Sequence, residues 1–293
     1  MASPPAQQND HAPKRADMLP VYGQSTNLVG LPTGVLASTE FNDGAPELHI
    51  SGVREMNPSL FAMLGEAPDL KSAAEAFYMY MQAMFGLDPE QWEEERKSKR
   101  KQGKDPVRRF RSSYLRLLRG WGYDNNSKEG AVLKGWVESR FGLYPTFHGV
   151  PILKFSSPAW MDYVEQKMSS RFHNNSIYVQ LDLVYEFCQW ALRRFVLGHN
   201  ESALTLYRGV NDFSEHQMVE RIDKRTVVTR LNSLVSFSSE REVADCFGDH
   251  ILTAKVPASK VIFFNTLLPT HPLKGEGEYL VIGGDFKVSV SYA

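Results

Sequence analysis

Two glutamates separated by a single glycine are the residues of this chain whose types and spacing best suit chemistry. Glu276 and Glu278 flank Gly277, and the apolar run Tyr279–Ile282 follows them. If that run is a β-strand, its period of two places both carboxylates on one side, where two like charges are costly unless a function requires them. Chemistry on a sugar is one such function, because a carboxylate can bind a ribose hydroxyl and stabilise an oxocarbenium ion. The alternative is a solvated hairpin edge whose charges keep it soluble.

An arginine inside a predicted strand is the second candidate. Arg208 interrupts the apolar run Leu204–Val210 and is followed by Gly209. A partly buried guanidinium requires an anionic partner, and its planar fork fits a pyrophosphate or a carboxylate. The glycine allows a ligand to approach the backbone closely. An ordinary salt bridge is the alternative interpretation of the arginine.

Two serines on another predicted strand form the third candidate. Ser236 and Ser238 project to one face of the run Asn232–Ser238. Ser239 is followed three residues later by Glu242, which predicts a capping box at the start of a helix. Because Ser236 has no comparable structural role in the middle of a strand, its hydroxyl is the stronger candidate for a functional site.

These candidates all lie in the last third of the chain, where short runs rich in β-branched and aromatic residues alternate with turns. The predicted strands are Leu204–Val210, Asn232–Ser238, Ile251–Val256, Lys260–Phe264, Tyr279–Ile282 and Phe286–Ser291. The preceding sequence is helical in character. We therefore predict an α+β fold in which a mainly helical part, residues 27–200, packs on a β-rich part, residues 201–293, as one compact unit, after a mobile tail of residues 1–26.

Helical periodicity is clearest in two segments of the first two-thirds. In residues 69–85, Asp69 is suited to cap the helix, and Phe77, Met81 and Met84 share one face. The second segment, Tyr178–Leu197, carries Cys188, which we expect to be a buried, small apolar residue. Gly198 follows this segment directly and is predicted to end the helix.

A strongly basic stretch lies between these helices. Arg96–Arg119 contains eleven Lys or Arg and one acid, Asp105, and its second part, Arg108–Arg119, is predicted to form an amphipathic helix. Its expected inward-facing residues are Phe110, Tyr114, Leu117 and Leu118. The basic face is a candidate docking surface for an acidic partner, and a solvated helix flank is the alternative. Nucleic acid is disfavoured, because no zinc spacing or RNA-binding aromatic strand accompanies the charge.

Composition indicates an ordinary globular protein. The chain of 293 residues is 42% apolar and 23% charged, with a net charge of −1, which does not suit an electrostatic nucleic-acid binder. Neither a signal peptide nor an apolar run long enough to span a membrane is predicted. The two cysteines and the histidines show no metal-ligand spacing, so we predict a reduced, cytoplasmic protein without a metal ligand.

Taken in chain order, the three candidate patterns resemble a known signature. Tyr207-Arg208-Gly209, Ser236-Phe237-Ser238 and Glu276-Gly277-Glu278 are similar to the Arg, Ser-x-Ser and Glu-x-Glu elements of arginine-specific mono-ADP-ribosyltransferases, with Phe237 where that family usually has threonine. The segment Asn27–Asn42 and the helical first part extend the similarity to the dinitrogenase reductase ADP-ribosyltransferases of nitrogen-fixing bacteria. This second resemblance covers nearly the whole chain beyond the tail.

The resemblance implies a split β-sheet core of the ADP-ribosyltransferase type with NAD, the substrate, lying across its cleft. It implies that Arg208 holds the NAD phosphates, that Gly209 offers backbone groups to the nicotinamide carboxamide, and that Ser236 positions the glutamates. Tyr207 and Ser238 complete the expected NAD-binding residues.

The two glutamates receive different roles from the same resemblance. Glu278 is expected to bind the ribose 2′-hydroxyl and to stabilise the oxocarbenium ion that forms as nicotinamide leaves. Glu276 is expected to orient the guanidinium of the acceptor arginine and to take its proton.

Partners also follow from the resemblance. Dinitrogenase reductase, the iron protein of nitrogenase, is the expected acceptor, and its modification switches off nitrogen fixation by blocking electron transfer. A PII-type signalling protein is the expected regulator. Two alternatives remain: a catalytically silent NAD-binding regulatory module, and a basic-helix adaptor in which the glutamates are incidental. The complete signature disfavours the adaptor, and the presence of Glu278 disfavours the silent module.

Overall fold

A computed structural model describes residues 27–87, 112–169, 171–211, 217–270, 272–273, 275 and 277–292. The tail of residues 1–26, the basic residues 96–111 with Phe110, and Glu276 lie outside these ranges. The predictions made for them therefore stay predictions.

Helices dominate the described residues before position 197. They are α1 Thr33–Leu36, α2 Thr39–Gly44, α3 Val53–Met56, α4 Pro58–Glu66, α5 Leu70–Phe85, α6 Tyr114–Tyr123, α7 Lys128–Phe141, α8 Pro158–Lys167 and α9 Ile177–Ala191, which continues as the π-helical segment Leu192–Val196. A short hairpin, β1 Phe147–His148 and β2 Val150–Pro151, separates α7 from α8. Among the described residues, no helix is long and apolar enough to cross a membrane.

The last part of the chain forms an antiparallel sheet. Its strands are β3 Ala203–Val210, β4 Gln217–Arg221, β5 Thr226–Ser238, β6 His250–Pro257, β7 Val261–Phe264 and β8 Glu278–Tyr292, with the short helix α10 Arg241–Asp245 between β5 and β6. The α+β class, with helices first and the sheet last, is confirmed. Strand β4 was not predicted, because its residues are mostly exposed and polar and show no apolar alternation.

The local sequence signals of α5 are largely confirmed. Asp69 accepts a hydrogen bond from the backbone N–H of Ser72 at 2.8 Å, as an N-cap should. Phe77 and Met81 are fully buried, and the Phe77 ring stacks on Phe187 of α9 with centroids 4.3 Å apart. Met84 is 55% exposed, so the predicted apolar stripe ends one turn before the helix does.

The start of the predicted basic helix was placed wrongly. Ser113 has an extended backbone, and its hydroxyl accepts from the N–H of Arg116, so α6 begins at Tyr114 rather than running unbroken from Arg108. The reason is local, since serine at an N-cap satisfies an otherwise unpaired helix N–H. The second predicted helix ends within one residue of its predicted end, because its last segment ends at Val196 and Leu197 is extended. Gly198 follows directly, as predicted, but without the left-handed conformation of a capping glycine.

Side chains of α9 attach the helical layer to the sheet. The Gln189 amide donates to the carbonyl of Val261 at 2.7 Å, and the Tyr185 hydroxyl donates to the carbonyl of Ser259 at 2.9 Å. Cys188 lies beside them and is fully buried, as predicted. The surrounding buried apolar residues of the helices and the strands form one hydrophobic core.

Strand β8 organises the sheet. Two short strands were predicted on either side of Gly283 and Gly284, but the chain continues through them as one strand. The pairing with β5 shifts register between Leu231 and Leu234, and Gly284 absorbs the irregularity with φ of 110°. The first half of β8 therefore lies between β5 and β7, and its second half lies between β5 and β6.

The split between strands lies near the start of β8. Strand β3 pairs with β6 along its whole length, whereas its pairing with β5 consists of Tyr207 opposite Ser238. Ser238 is also the partner of Glu278 across β5 and β8. The predicted Arg, Ser and Glu patterns thus meet where β3 and β5 separate.

Lys260, which directly precedes β7, is buried. Lys260 has no exposed surface, and its ammonium donates to the carbonyl of Gly283 at 3.1 Å. The ammonium also lies 4.6 Å from the ring centroid of Phe286. Burial lowers the pKa of Lys260 to about 7, against the opposing influence of Asp285.

This lysine predicts a pH-dependent stability. Between pH 7 and the unfolded-chain pKa of ~10.4, the unfolded state binds more protons than the folded state, so the free energy of unfolding should rise with pH. In Lys260→Met this part of the rise should be absent. Urea unfolding at about pH 7 and about pH 9.5 measures it, and equal rises in both proteins would contradict the prediction.

Candidate active site

Glu278, the first residue of β8, is the centre of the site. Its Oε1 accepts a hydrogen bond from the Ser236 hydroxyl at 2.7 Å, and its Oε2 accepts from the backbone N–H of Gly275 at 3.2 Å. Burial raises the pKa of Glu278, while these two hydrogen bonds and the charge of Arg208 act in the opposite direction. Two hydrogen-bond donors therefore fix the orientation of the carboxylate, which lies in a partly desolvated environment.

Arg208 approaches the same serine from β3. Its Nη1 donates to the main-chain carbonyl of Ser236 at 2.9 Å. Ser236 therefore contacts the arginine through its backbone and Glu278 through its side chain. Three residues selected from separate sequence patterns are brought together on three strands.

A tryptophan from the helical part completes this group. The indole Nε1 of Trp121, on α6, donates to the Ser236 hydroxyl oxygen at 2.9 Å. Trp121 was not among the predicted site residues. Its spacing from Leu117 and Leu118 signals a buried helix face, and nothing local indicates a polar partner 115 residues away.

Residues at the end of β5 contact the loop that precedes β8. The Ser238 hydroxyl accepts from the backbone N–H of Glu240 at 3.0 Å. Ser239 does not cap α10 as predicted, because the N-cap position belongs to Glu240, which makes no side-chain capping bond. Instead the N–H of Ser239 donates to the carbonyl of Gly277 at 2.9 Å, which extends the β5–β8 pairing by one contact.

The loop before Glu278 requires its glycine. Gly277 has φ of +61°, and a Cβ atom there would lie 2.5 Å from the Ser239 hydroxyl oxygen. The Asn265 amide donates to the carbonyl of Gly275 at 3.1 Å and so holds the other end of the loop. Glu276 lies between these glycines in the chain but outside the described residues, so its role stays a prediction.

Gly209 has a structural reason to be glycine. A Cβ atom at this position would lie 2.0 Å from the carbonyl oxygen of Ala244, so α10 packs directly on the strand. The close approach of Ala244 explains the glycine without a ligand. It does not test the predicted contact between Gly209 and a ligand. Tyr207, the preceding residue, faces Ser238 in the sheet register.

Phe237, which departs from the family pattern, does not face the site. Its side chain is on the face of β5 opposite to that of Ser236 and Ser238. It is 2% exposed, and its ring centroid lies 6.4 Å from that of Phe286. The aromatic residue belongs to the hydrophobic core.

Replacing this residue tests that assignment. Phe237→Thr should reduce the free energy of unfolding by about 3 kcal/mol, because it leaves a cavity and buries a hydroxyl. Urea unfolding measures the loss. A change below about 1 kcal/mol would show that the ring contributes little packing.

No group of three His, Cys, Asp or Glu residues in the described ranges could hold a metal ion.

Comparison with known proteins identifies the family. A family model described as "Dinitrogenase reductase ADP-ribosyltransferase (DRAT)" matches residues 26–290. A relative from Rhodospirillum rubrum, named "NAD(+)--dinitrogen-reductase ADP-D-ribosyltransferase", is 72% identical over 273 residues, which cover 93% of this chain and 97% of the relative. No solved structure matches the chain. Since both matches extend over nearly its whole length, the chain belongs to the dinitrogenase reductase ADP-ribosyltransferase family.

Proposed function

We propose that this protein transfers a single ADP-ribose from NAD to an arginine of dinitrogenase reductase. The convergence of Arg208, Ser236 and Glu278 where β3 and β5 separate carries the proposal. The name of the Rhodospirillum rubrum relative supports both NAD as donor and the acceptor protein. Acceptor specificity for arginine rests on the Arg–Ser–Glu pattern, including Glu276.

Glu278 would act at the ribose. The bond between ribose C1′ and the nicotinamide nitrogen breaks, and nicotinamide leaves with the electron pair. A carboxylate accepts about four hydrogen bonds, and within the described residues Ser236 and Gly275 supply two to Glu278. The remaining acceptor positions would bind the ribose 2′-hydroxyl, and the negative charge would stabilise the oxocarbenium ion.

The acceptor then completes the exchange. A guanidinium nitrogen of the target arginine attacks C1′, and Glu276 would take the proton that the nitrogen loses. The products are ADP-ribosyl-arginine, nicotinamide and a proton. Because one substituent on the ribose C1′ replaces another, the reaction belongs to the glycosyltransferase class.

Arg208 would bind the NAD phosphates through charge-assisted hydrogen bonds. Tyr207, Gly209 and Ser238 would complete the NAD site around it. Arg208 lies beside the serine that binds Glu278, so the phosphates of NAD would lie at the arginine and the adjacent nicotinamide ribose at the glutamate.

The setting of the reaction is part of the proposal. Modified dinitrogenase reductase would no longer pass electrons to its partner, which would switch off nitrogen fixation, and a PII-type protein would regulate the transferase. We place the enzyme in the cytoplasm, where the acceptor works. The reduced state of Cys188 and Cys246, which form no disulfide, agrees with such a compartment.

Transfer of labelled ADP-ribose from NAD to purified dinitrogenase reductase tests the function, with mass spectrometry to locate the label. Label on an arginine is the expected result. Measurable NAD binding without transfer, also in the presence of a PII protein, would overturn the proposal and favour a catalytically silent NAD-binding module. Label on another residue type would contradict arginine specificity alone.

A further inference from the structure

We propose that Trp121 is a positioning residue for the catalytic carboxylate, because its indole N–H holds the Ser236 hydroxyl in the orientation that directs the hydroxyl proton to Glu278. This inference rests on the proposed function, in which Glu278 acts at the ribose, and it assigns a role to a residue of the helical part.

The donor and acceptor inventory supports this orientation. An indole nitrogen can only donate, whereas a serine hydroxyl carries one proton and accepts through its lone pairs. Trp121 lies 2.9 Å from the Ser236 oxygen and therefore occupies an acceptor position. The single proton of the hydroxyl is then available for Glu278 Oε1 at 2.7 Å. Without the indole N–H, the hydroxyl could rotate to other positions.

The indole itself is firmly held. Trp121 is 3% exposed, and the ammonium of Lys134, on α7, lies 5.9 Å from the centroid of its ring. Lys134 is anchored in turn, since it donates to the carbonyl of Phe147 at 3.0 Å and to the side-chain oxygen of Asn126 at 3.2 Å. A donor on packed helices is positioned more accurately than a donor on a loop.

The orientation of the Ser236 hydroxyl affects the pKa of Glu278. The hydrogen bond from Ser236 favours the ionised carboxylate and opposes the effect of burial. Among the described residues, the other groups that face this carboxylate are the Arg208 guanidinium and the N–H of Gly275, and Glu240 borders the adjacent Gly277. Loss of the Trp121 donor should weaken the Ser236 bond and raise the pKa of Glu278 further.

Trp121→Phe removes the N–H while keeping an aromatic ring, and the chain offers a matched control. Trp136 is 1% exposed, and its indole donates to Asp182 at 2.7 Å within the helical part. Trp136→Phe therefore also removes one buried indole hydrogen bond. Thermal unfolding of both variants compares their structural cost.

Rates of transfer across pH provide the first readout. Trp121→Phe should lower kcat by about tenfold, the scale for groups that orient an active-site residue, with little change in the KM for NAD. The fall in rate on the acidic side should move to higher pH, because the ionised carboxylate is the active form. Ser236→Ala should shift it in the same direction, and Trp136→Phe should not.

Titration of Glu278 provides a readout independent of activity. In a protein with 13C-labelled glutamate side chains, the carboxyl resonance that disappears in Glu278→Gln identifies the residue, and its pKa should be higher in Trp121→Phe than in the native protein. An unchanged titration would overturn the inference, as would a kcat and pH profile equal to those of Trp136→Phe. If the native protein transfers no label, the proposed function fails, while the titration still decides the role of Trp121.

Discussion

Replacing Glu278 with glutamine should reduce the rate of ADP-ribose transfer by about 10²–10³-fold or more, because the variant lacks the negative charge that opposes the developing oxocarbenium ion. Glutamine has nearly the same shape, and the charge of the oxocarbenium ion exists only near the transition state. NAD affinity should therefore change by only a few-fold. Single-turnover transfer rates and calorimetric NAD binding measure the two quantities separately.

The matched control is Glu240→Gln. Glu240 is exposed and borders Gly277, and its hydrogen bond to the Ser238 hydroxyl is made by the backbone N–H, which the substitution leaves in place. This variant should keep the transfer rate within a few-fold of native. Transfer by Glu278→Gln at the rate of Glu240→Gln would show that the Glu278 carboxylate is incidental.

Folding is not expected to explain the loss in Glu278→Gln. Burial raises the pKa of Glu278, so the folded state binds its proton more tightly than the unfolded state does. The stability linked to this proton is present at low pH and is lost as pH rises through the raised pKa. At neutral pH the glutamine variant, which has no carboxylate to desolvate, should melt at or above the native temperature.

Arg208→Lys should weaken NAD binding by about 10- to 100-fold, equivalent to ~1.4–2.8 kcal/mol. Lysine keeps the positive charge but loses the planar fork that can bind a phosphate and the Ser236 carbonyl together. ADP-ribose, which retains the two phosphates, should lose affinity by a similar factor, whereas nicotinamide alone should not. Calorimetric titration with the three ligands measures this pattern.

Arg230→Lys serves as the control for this change. Arg230 lies on β5 and pairs with both carboxylate oxygens of Asp285, at 2.6 and 2.8 Å. Its replacement should affect stability but leave NAD affinity unchanged. Native-like binding of NAD by Arg208→Lys would mean that other groups hold the phosphates.

Local signals in the chain were sufficient for the fold class and for most of the candidate site. The cap at Asp69 and the apolar spacing of Phe77 and Met81 depend on residues within one or two helical turns, and both predictions were confirmed. The alternation of side chains along a strand likewise separates Ser236 from Phe237, whose ring lies in the core.

Contacts between elements distant in sequence determined the structural features that local patterns could not predict. Strand β8 continues through Gly283 and Gly284 because β5 pairs with it on both sides of the irregularity, although these glycines by themselves indicate a turn. Ser239 pairs with the carbonyl of Gly277 rather than capping α10, because the loop before β8, which is distant in sequence, places that carbonyl beside it. Gly209 is required by the backbone of Ala244.

The hydrogen bond between Trp121 and Ser236 shows the same limit most clearly. Periodicity along the chain reports which face of a helix or strand is buried, and it correctly indicates a buried face for α6. It carries no information on which polar group from another element will lie opposite a buried donor. The sequence therefore predicted the residue types of the site. The contact between α6 and β5 determined that Trp121 is the residue that orients Ser236.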